Sequence, residues 1–151
     1  MLNDHIEQRW LAAFSKVFEL CKVAPGEQVA LLAESQSRAL NIALARLALE
    51  QLGTQPVTVT VPTPAQTAPV PVRSTGASQC LNGQAAAVAG LKAASMVVDL
   101  TVEGLLHAPQ LPEILGGGAR VLMVSNEHPE ALERLVPDPA DEAVEIGRAH
   151  V

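Results

Sequence analysis

In the stretch Glu103-Gly104-Leu105-Leu106-His107-Ala108-Pro109, His107 is the side chain best suited by type and place to move a proton. It follows the apolar run Met96-Val97-Val98-Asp99-Leu100 by a short loop, and parallel α/β sheets collect functional groups at the carboxyl ends of their strands. Imidazole changes charge near neutrality, so a histidine there can work as a general base or acid. It can equally be a loop residue capping the helix that Pro109 begins, the commoner fate of such a histidine. Both roles stay open on the residues alone. Asp99, at the end of the buried run, can orient a partner or cap the following loop, and the cap is the expectation.

The other candidates are weaker. His5 lies ahead of an amphipathic helix and is expected to be solvated, whereas His128 stands before Pro129 at a helix start and is expected to cap it. Neither has a second histidine at the spacing that zinc or non-haem iron needs, and no metal site can be assembled from this chain. Two cysteines, Cys21 and Cys80, cannot define a disulfide framework. Cys21 falls on the apolar face of a predicted helix and reads as a buried thiol. Gly116-Gly117-Gly118 precedes a predicted strand, but a phosphate cradle must follow one and open a helix. With no G-x-G-x-x-G and no Walker Lys-Ser/Thr pair, a nucleotide site is not expected.

The elements that would position His107 follow from hydrophobic periodicity. Ile6, Trp10, Ala13, Phe14, Val17, Phe18 and Cys21 recur at helical spacing, ending before Pro25-Gly26. Gln28 to Ala33 is a short apolar run without alternation, as in a strand covered on both faces. Ser35-Gln36-Ser37 supplies N-cap candidates for a helix from Arg38 to Leu52, which Gly53 would terminate. Pro56 to Val61 alternates like a strand, and an irregular Pro-rich excursion spans 62–78. Further on, the pattern predicts a helix from Asn82-Gly83 through Ala94, a strand at Met96–Leu100 and a short helix at Pro109–Leu115. A strand at Arg120–Val124 and a helix opened by Pro129 at its first position complete the series. This alternation predicts an α/β fold: an open, mainly parallel sheet with helices on both faces, a Rossmann-like three-layer domain.

Composition narrows the function classes. The chain has 151 residues, 48% of them hydrophobic, enough for a real core, and a formal net charge of −6. With few aromatic residues and no dense Lys/Arg cluster, nucleic-acid binding is disfavoured. No apolar run is long enough to span a bilayer, and Met1 to Glu7 lacks the features of a secretion signal. A soluble cytoplasmic protein is the expectation.

The last residues, Glu145-Ile146-Gly147-Arg148-Ala149-His150-Val151, continue none of the preceding pattern. From Ile146 onward they match the translation of a widely used sequencing adapter, in which the next triplet is a stop. Residues 145–151 are therefore expected to be non-native, with the natural protein continuing past about Val144. His150 accordingly leaves the set of candidate ligands.

The run Ser95-Met96-Val97-Val98-Asp99-Leu100, followed by Leu105-Leu106-His107-Ala108-Pro109, Ile114-Leu115, Ala119-Arg120-Val121-Leu122, Glu130-Ala131-Leu132 and Leu135-Val136-Pro137, resembles the N-terminal half of the 2,5-dihydroxypyridine 5,6-dioxygenases. The resemblance implies a non-haem Fe(II) enzyme of nicotinate and nicotine catabolism that uses O2 to open a small aromatic N-heterocycle between C5 and C6. It implies that His107 is the general base taking the substrate's hydroxyl proton, serving a neighbouring subunit's site in a homo-oligomer, and that Leu106 is the apolar gate beside it. The family's iron ligands belong to its C-terminal half. Residues 1–144 would then be the N-terminal α/β domain of a two-domain enzyme, with the metal-binding domain absent and the fragment inactive by itself. The same scaffold occurs in aminopeptidase T-like metallopeptidases, the alternative reading, and a non-catalytic α/β ligand-binding module is the third.

Overall fold

The computed structural model describes residues 6–65 and 76–135. His5, residues 66–75 of the Pro-rich excursion and the suspect tail 145–151 lie outside them. Helix α1 (Gln8–Leu20) forms because its apolar residues recur on one face, burying Trp10, Leu11, Ala13, Phe14 and Phe18. It stops earlier than Pro25-Gly26 requires, because Lys22 adopts a left-handed conformation (φ 61°). The Lys22 N–H then bonds to Glu19 O and the Val23 N–H to Phe18 O, satisfying the last carbonyls.

Four strands follow the expected order: β1 (Val29–Glu34), β2 (Val57–Val61), β3 (Met96–Asp99) and β4 (Arg120–Met123). All pairings are parallel, in the spatial order β2-β1-β3-β4. β1 and β3 are central and buried along their whole lengths, which is why their sequences lack alternation. β2 is an edge strand with Val57 exposed.

Helix α2 (Ala39–Gln51) connects β1 to β2, and Gly53 ends it at φ 89°. A Cβ on Gly53 would come within 3.0 Å of Pro25 Cβ, so conformation and close approach both demand glycine there. Helices α3 (Ala85–Ala93), α4 (Leu111–Gly116) and α5 (Pro129–Leu135) complete the elements of the described residues. Phe14, Phe18, Leu44 and Leu49 pack with Met96 and Val98 on one face; Leu91, Leu105 and Ile114 pack with Val97 and Val121 on the other. Successive β3 residues thus feed opposite cores, as a strand requires. The expected three-layer α/β architecture is present. No described helix is long and apolar enough to cross a membrane.

The topology selects one place in this fold. The connection from β1 runs through α2 to β2 on one side, and that from β3 runs through α4 to β4 on the other. The sheet order therefore switches between β1 and β3, and the crevice beyond their carboxyl ends is where such sheets bind ligands.

Candidate functional site

Both central strands end in a buried acid, Glu34 on β1 and Asp99 on β3. Asp99 Oδ1 accepts bonds from the Thr101 N–H (2.9 Å) and hydroxyl (2.6 Å), and Oδ2 accepts one from the Leu105 N–H (2.9 Å). The Thr101 hydroxyl also accepts the Gly104 N–H at 3.0 Å. Glu34 Oε2 accepts the Val102 N–H at 2.6 Å. Two carboxylates thus satisfy the backbone of a loop that would otherwise bury unpaired donors. The expectation that Asp99 caps this loop holds. Burial pushes the Asp99 carboxyl above the usual carboxylate range, against the bonds from Thr101 and Leu105, which lower it, and with a smaller upward push from Glu34.

The loop carries Leu106 and His107 at its outer end. Ahead of α3, residues 76–78 lie alongside it: the Gly76 N–H bonds to Glu103 O at 2.6 Å, the Ser78 N–H bonds to Gly104 O at 3.0 Å, and the His107 N–H donates to Gly76 O. The backbone of His107 is therefore held through its N–H while its side chain stays exposed. The imidazole makes no hydrogen bond to a described residue, and the residue preceding α4 is Gln110, without a side-chain cap. Capping is thus not the role of His107. Leu105 is fully buried and Leu106 is 48% exposed, so the two adjacent leucines part company, one to the core and one beside the imidazole.

Gly76 is the close-contact point of this assembly. Its φ is 75°, and an added Cβ would lie 3.2 Å from Leu106 Cβ and 3.4 Å from His107 Cδ2. Gly76→Ala is expected to cost about 1–2 kcal/mol of stability and to displace both side chains. Chemical denaturation checks the first effect, and a shift of the His107 ring resonances without global unfolding checks the second.

Several residues behave differently from the sequence expectation. Ser37 does not cap α2. The residue at that cap is Arg38, without a side-chain bond. The Ser37 hydroxyl instead accepts the Glu34 N–H (2.8 Å) and donates to Leu100 O (2.6 Å), tying the ends of β1 and β3 together. Nor do Asn82 and Gly83 begin α3, since they form a turn before Ala85. Glu34 and Thr101 are missed by sequence reasoning. The available signal was a carboxylate directly after a fully apolar strand, repeated at Asp99.

His128 stands apart from His107, on the face that carries α1 and α5. Its Nδ1 accepts the Glu130 N–H at 3.1 Å, and its ring meets Trp10 edge-on at 5.3 Å, so it caps α5 as expected. Cys21 and Cys80 belong to cores on opposite faces of the sheet. Burial pushes both thiols up to about 11, which leaves them inert at neutral pH. Of the triple glycine, Gly116 ends α4 and Gly117-Gly118 turn into β4, at the amino end of a strand and away from the crevice. Among the described residues no three His, Cys, Asp or Glu side chains converge to hold a metal. They do not fit an iron site, and the oxygens of Asp99 are already committed to backbone and threonine donors.

Fold and site together define a doubly wound, all-parallel α/β domain whose switch-point loop is fastened by buried acids and presents an apolar residue and an imidazole outward. The chain belongs to the NicX family, the 2,5-dihydroxypyridine 5,6-dioxygenases, whose family model matches residues 9–151. The solved structure of 2,5-dihydroxypyridine dioxygenase from Pseudomonas putida KT2440 is similar to it with a TM-score of 0.77 and 29% sequence identity over 88% of this chain. The chain spans 38% of the length of that protein. No curated protein matches it in sequence.

Proposed function

We propose that this chain is the N-terminal α/β domain of an Fe(II)-dependent dioxygenase that opens the ring of 2,5-dihydroxypyridine in cytoplasmic nicotinate degradation. In this reading His107 is the general base and Leu106 the apolar gate, acting at the site of a neighbouring subunit. The observation that carries it is the exposed imidazole of His107, fastened through its backbone at the carboxyl end of the sheet in a member of this family. Its nitrogen takes the proton from a ring hydroxyl, leaving a more electron-rich ring for oxidation. Leu106 excludes water from that transfer once substrate covers it.

The iron ligands lie in the part of the family's length that this chain does not span, so the chain alone is expected to leave the substrate intact even with added Fe(II) and O2. The full-length protein, loaded with Fe(II), is expected to consume O2 and 2,5-dihydroxypyridine in equal amounts and to yield an N-formylated maleamic acid. Hydrolysis of aminoacyl peptides without ring cleavage would instead support the aminopeptidase T-like reading. Binding without turnover of either substrate class would support a non-catalytic module.

A further inference from the structure

We propose that Asn82 is a self-modification site, at which the chain closes a succinimide onto Gly83 and reopens as isoaspartate or aspartate, with Gln110 assisting the closure. Of the four asparagines in the sequence, Asn82 alone precedes a glycine. Any other residue would set a Cβ beside the attacking nitrogen, and asparagine is already among the thermolabile side chains. The Gln84 N–H bonds to Leu81 O at 3.1 Å, closing a turn with Asn82 and Gly83 at its centre. Gly83 has φ 73° whereas Asn82 stays out of the left-handed region, the type II pattern. The closing bond does not use the Gly83 N–H, which makes no hydrogen bond to a described residue. The nucleophile is therefore available. Asn82 and Gly83 are both exposed, and a Cβ built on Gly83 would meet nothing within 4 Å, so the turn has room to change shape and solvent reaches it.

The side-chain amide is set up for attack as well. Its Oδ1 accepts a bond from Gln110 Nε2 at 2.7 Å, and its Nδ2 donates to Gln79 Oε1 at 2.5 Å. When the Gly83 nitrogen gives its proton to hydroxide and bonds to Asn82 Cγ, the charge that moves onto Oδ1 meets the Gln110 donor, as in an oxyanion hole. The Cγ–Nδ2 bond then breaks, and ammonia leaves with a proton taken from water, which restores the hydroxide. Water next opens the imide. Cleavage of the nitrogen's bond to Cγ leaves aspartate, and cleavage of its bond to the Asn82 main-chain carbonyl carbon leaves isoaspartate, with one methylene added to the backbone. In all, one water is consumed and one ammonia released, without a redox change. Either product carries a carboxylate in place of the amide, which cannot donate to Gln79. Asn82 ties the segment of Gly76 and Ser78 to Gln110 at the start of α4, so the change falls on the support of the loop that carries His107.

The test does not depend on the dioxygenase reading, because it needs no turnover. Full-length protein held in mildly alkaline buffer at physiological temperature is expected to gain about 1 Da in the tryptic peptide Ser74–Lys92, with fragmentation placing the gain at residue 82. An isoaspartyl methyltransferase should label the same peptide. Asn126, half-buried and followed by Glu127, is expected to convert in the same sample roughly tenfold or more slowly. Gln110→Leu removes the donor while leaving Asn82 and Gly83 in place, and is expected to slow the change roughly twofold to tenfold, the contribution of one neutral hydrogen bond. Gln110→Glu, which also lacks the donor, should slow it too, and circular dichroism checks that both variants fold. Conversion at Asn82 no faster than at Asn126 would overturn the proposal, and an unchanged rate in a folded Gln110 variant would overturn the part given to that residue.

Discussion

His107→Ala in the full-length protein is expected to lower kcat by roughly 10²–10⁴-fold, the range that one positioned general base supplies. The fold should not suffer. The imidazole is exposed and makes no bond to a described residue, and its place in the loop is set by its backbone N–H and by Asp99. A surface substitution of that kind changes stability by no more than about 0.5 kcal/mol. Turnover should therefore fall more than iron content does. Free imidazole should restore part of the rate in the variant. If His107 serves a neighbouring subunit, mixing this variant with subunits inactivated at the metal site should return activity that neither has alone. Unchanged turnover in His107→Ala would remove the base assignment.

Asp99→Ala is expected to destabilise the domain by about 2–4 kcal/mol, because three buried donors lose their acceptor, partly offset by relief of a desolvated charge. Asp99→Asn should cost less, about 1–3 kcal/mol. Its oxygen can still accept both bonds from Thr101, but its NH2 then faces the Leu105 N–H. The pH dependence has a definite sign. The folded carboxyl titrates above the ordinary value of 3.8, so below that value the acid is neutral in both states and its contribution is most favourable. As pH rises from there through the raised folded value, the unfolded chain ionises first and stability is lost. Asp99→Asn lacks this term, so the stability advantage of the unsubstituted protein should shrink with rising pH across that interval. Urea unfolding of both proteins over a pH series measures it; a gap that widens instead would contradict the raised titration. Loosening the loop should also cost activity in the full-length protein, since Leu105 is two residues from His107.

Much of the fold was legible because its signals are local. Unbroken apolar runs marked β1 and β3, which are covered on both faces, and Gly53 marked the end of α2 because its left-handed conformation suits glycine. The early end of α1 was not legible, since nothing in a lysine announces a left-handed conformation. At the site, the type and neighbourhood of His107 were enough to single it out, and the capping roles of Asp99 and His128 could be expected from their places at a strand end and a helix start.

By itself the sequence determined the order of strands and helices, the α/β class and the candidate histidine, because hydrophobic period and strand-end position are properties of neighbouring residues. Only the tertiary structure decided that Leu105 enters the core while Leu106 stays exposed, and that Ser37 bridges two strands instead of capping a helix. It also decided that Glu34 holds Val102 across 68 residues of chain and that Gly76 returns to brace the loop. Those bonds join partners far apart in sequence, whose meeting depends on the parallel register of β1 and β3 and the crossing of the sheet between them, which no local pattern encodes.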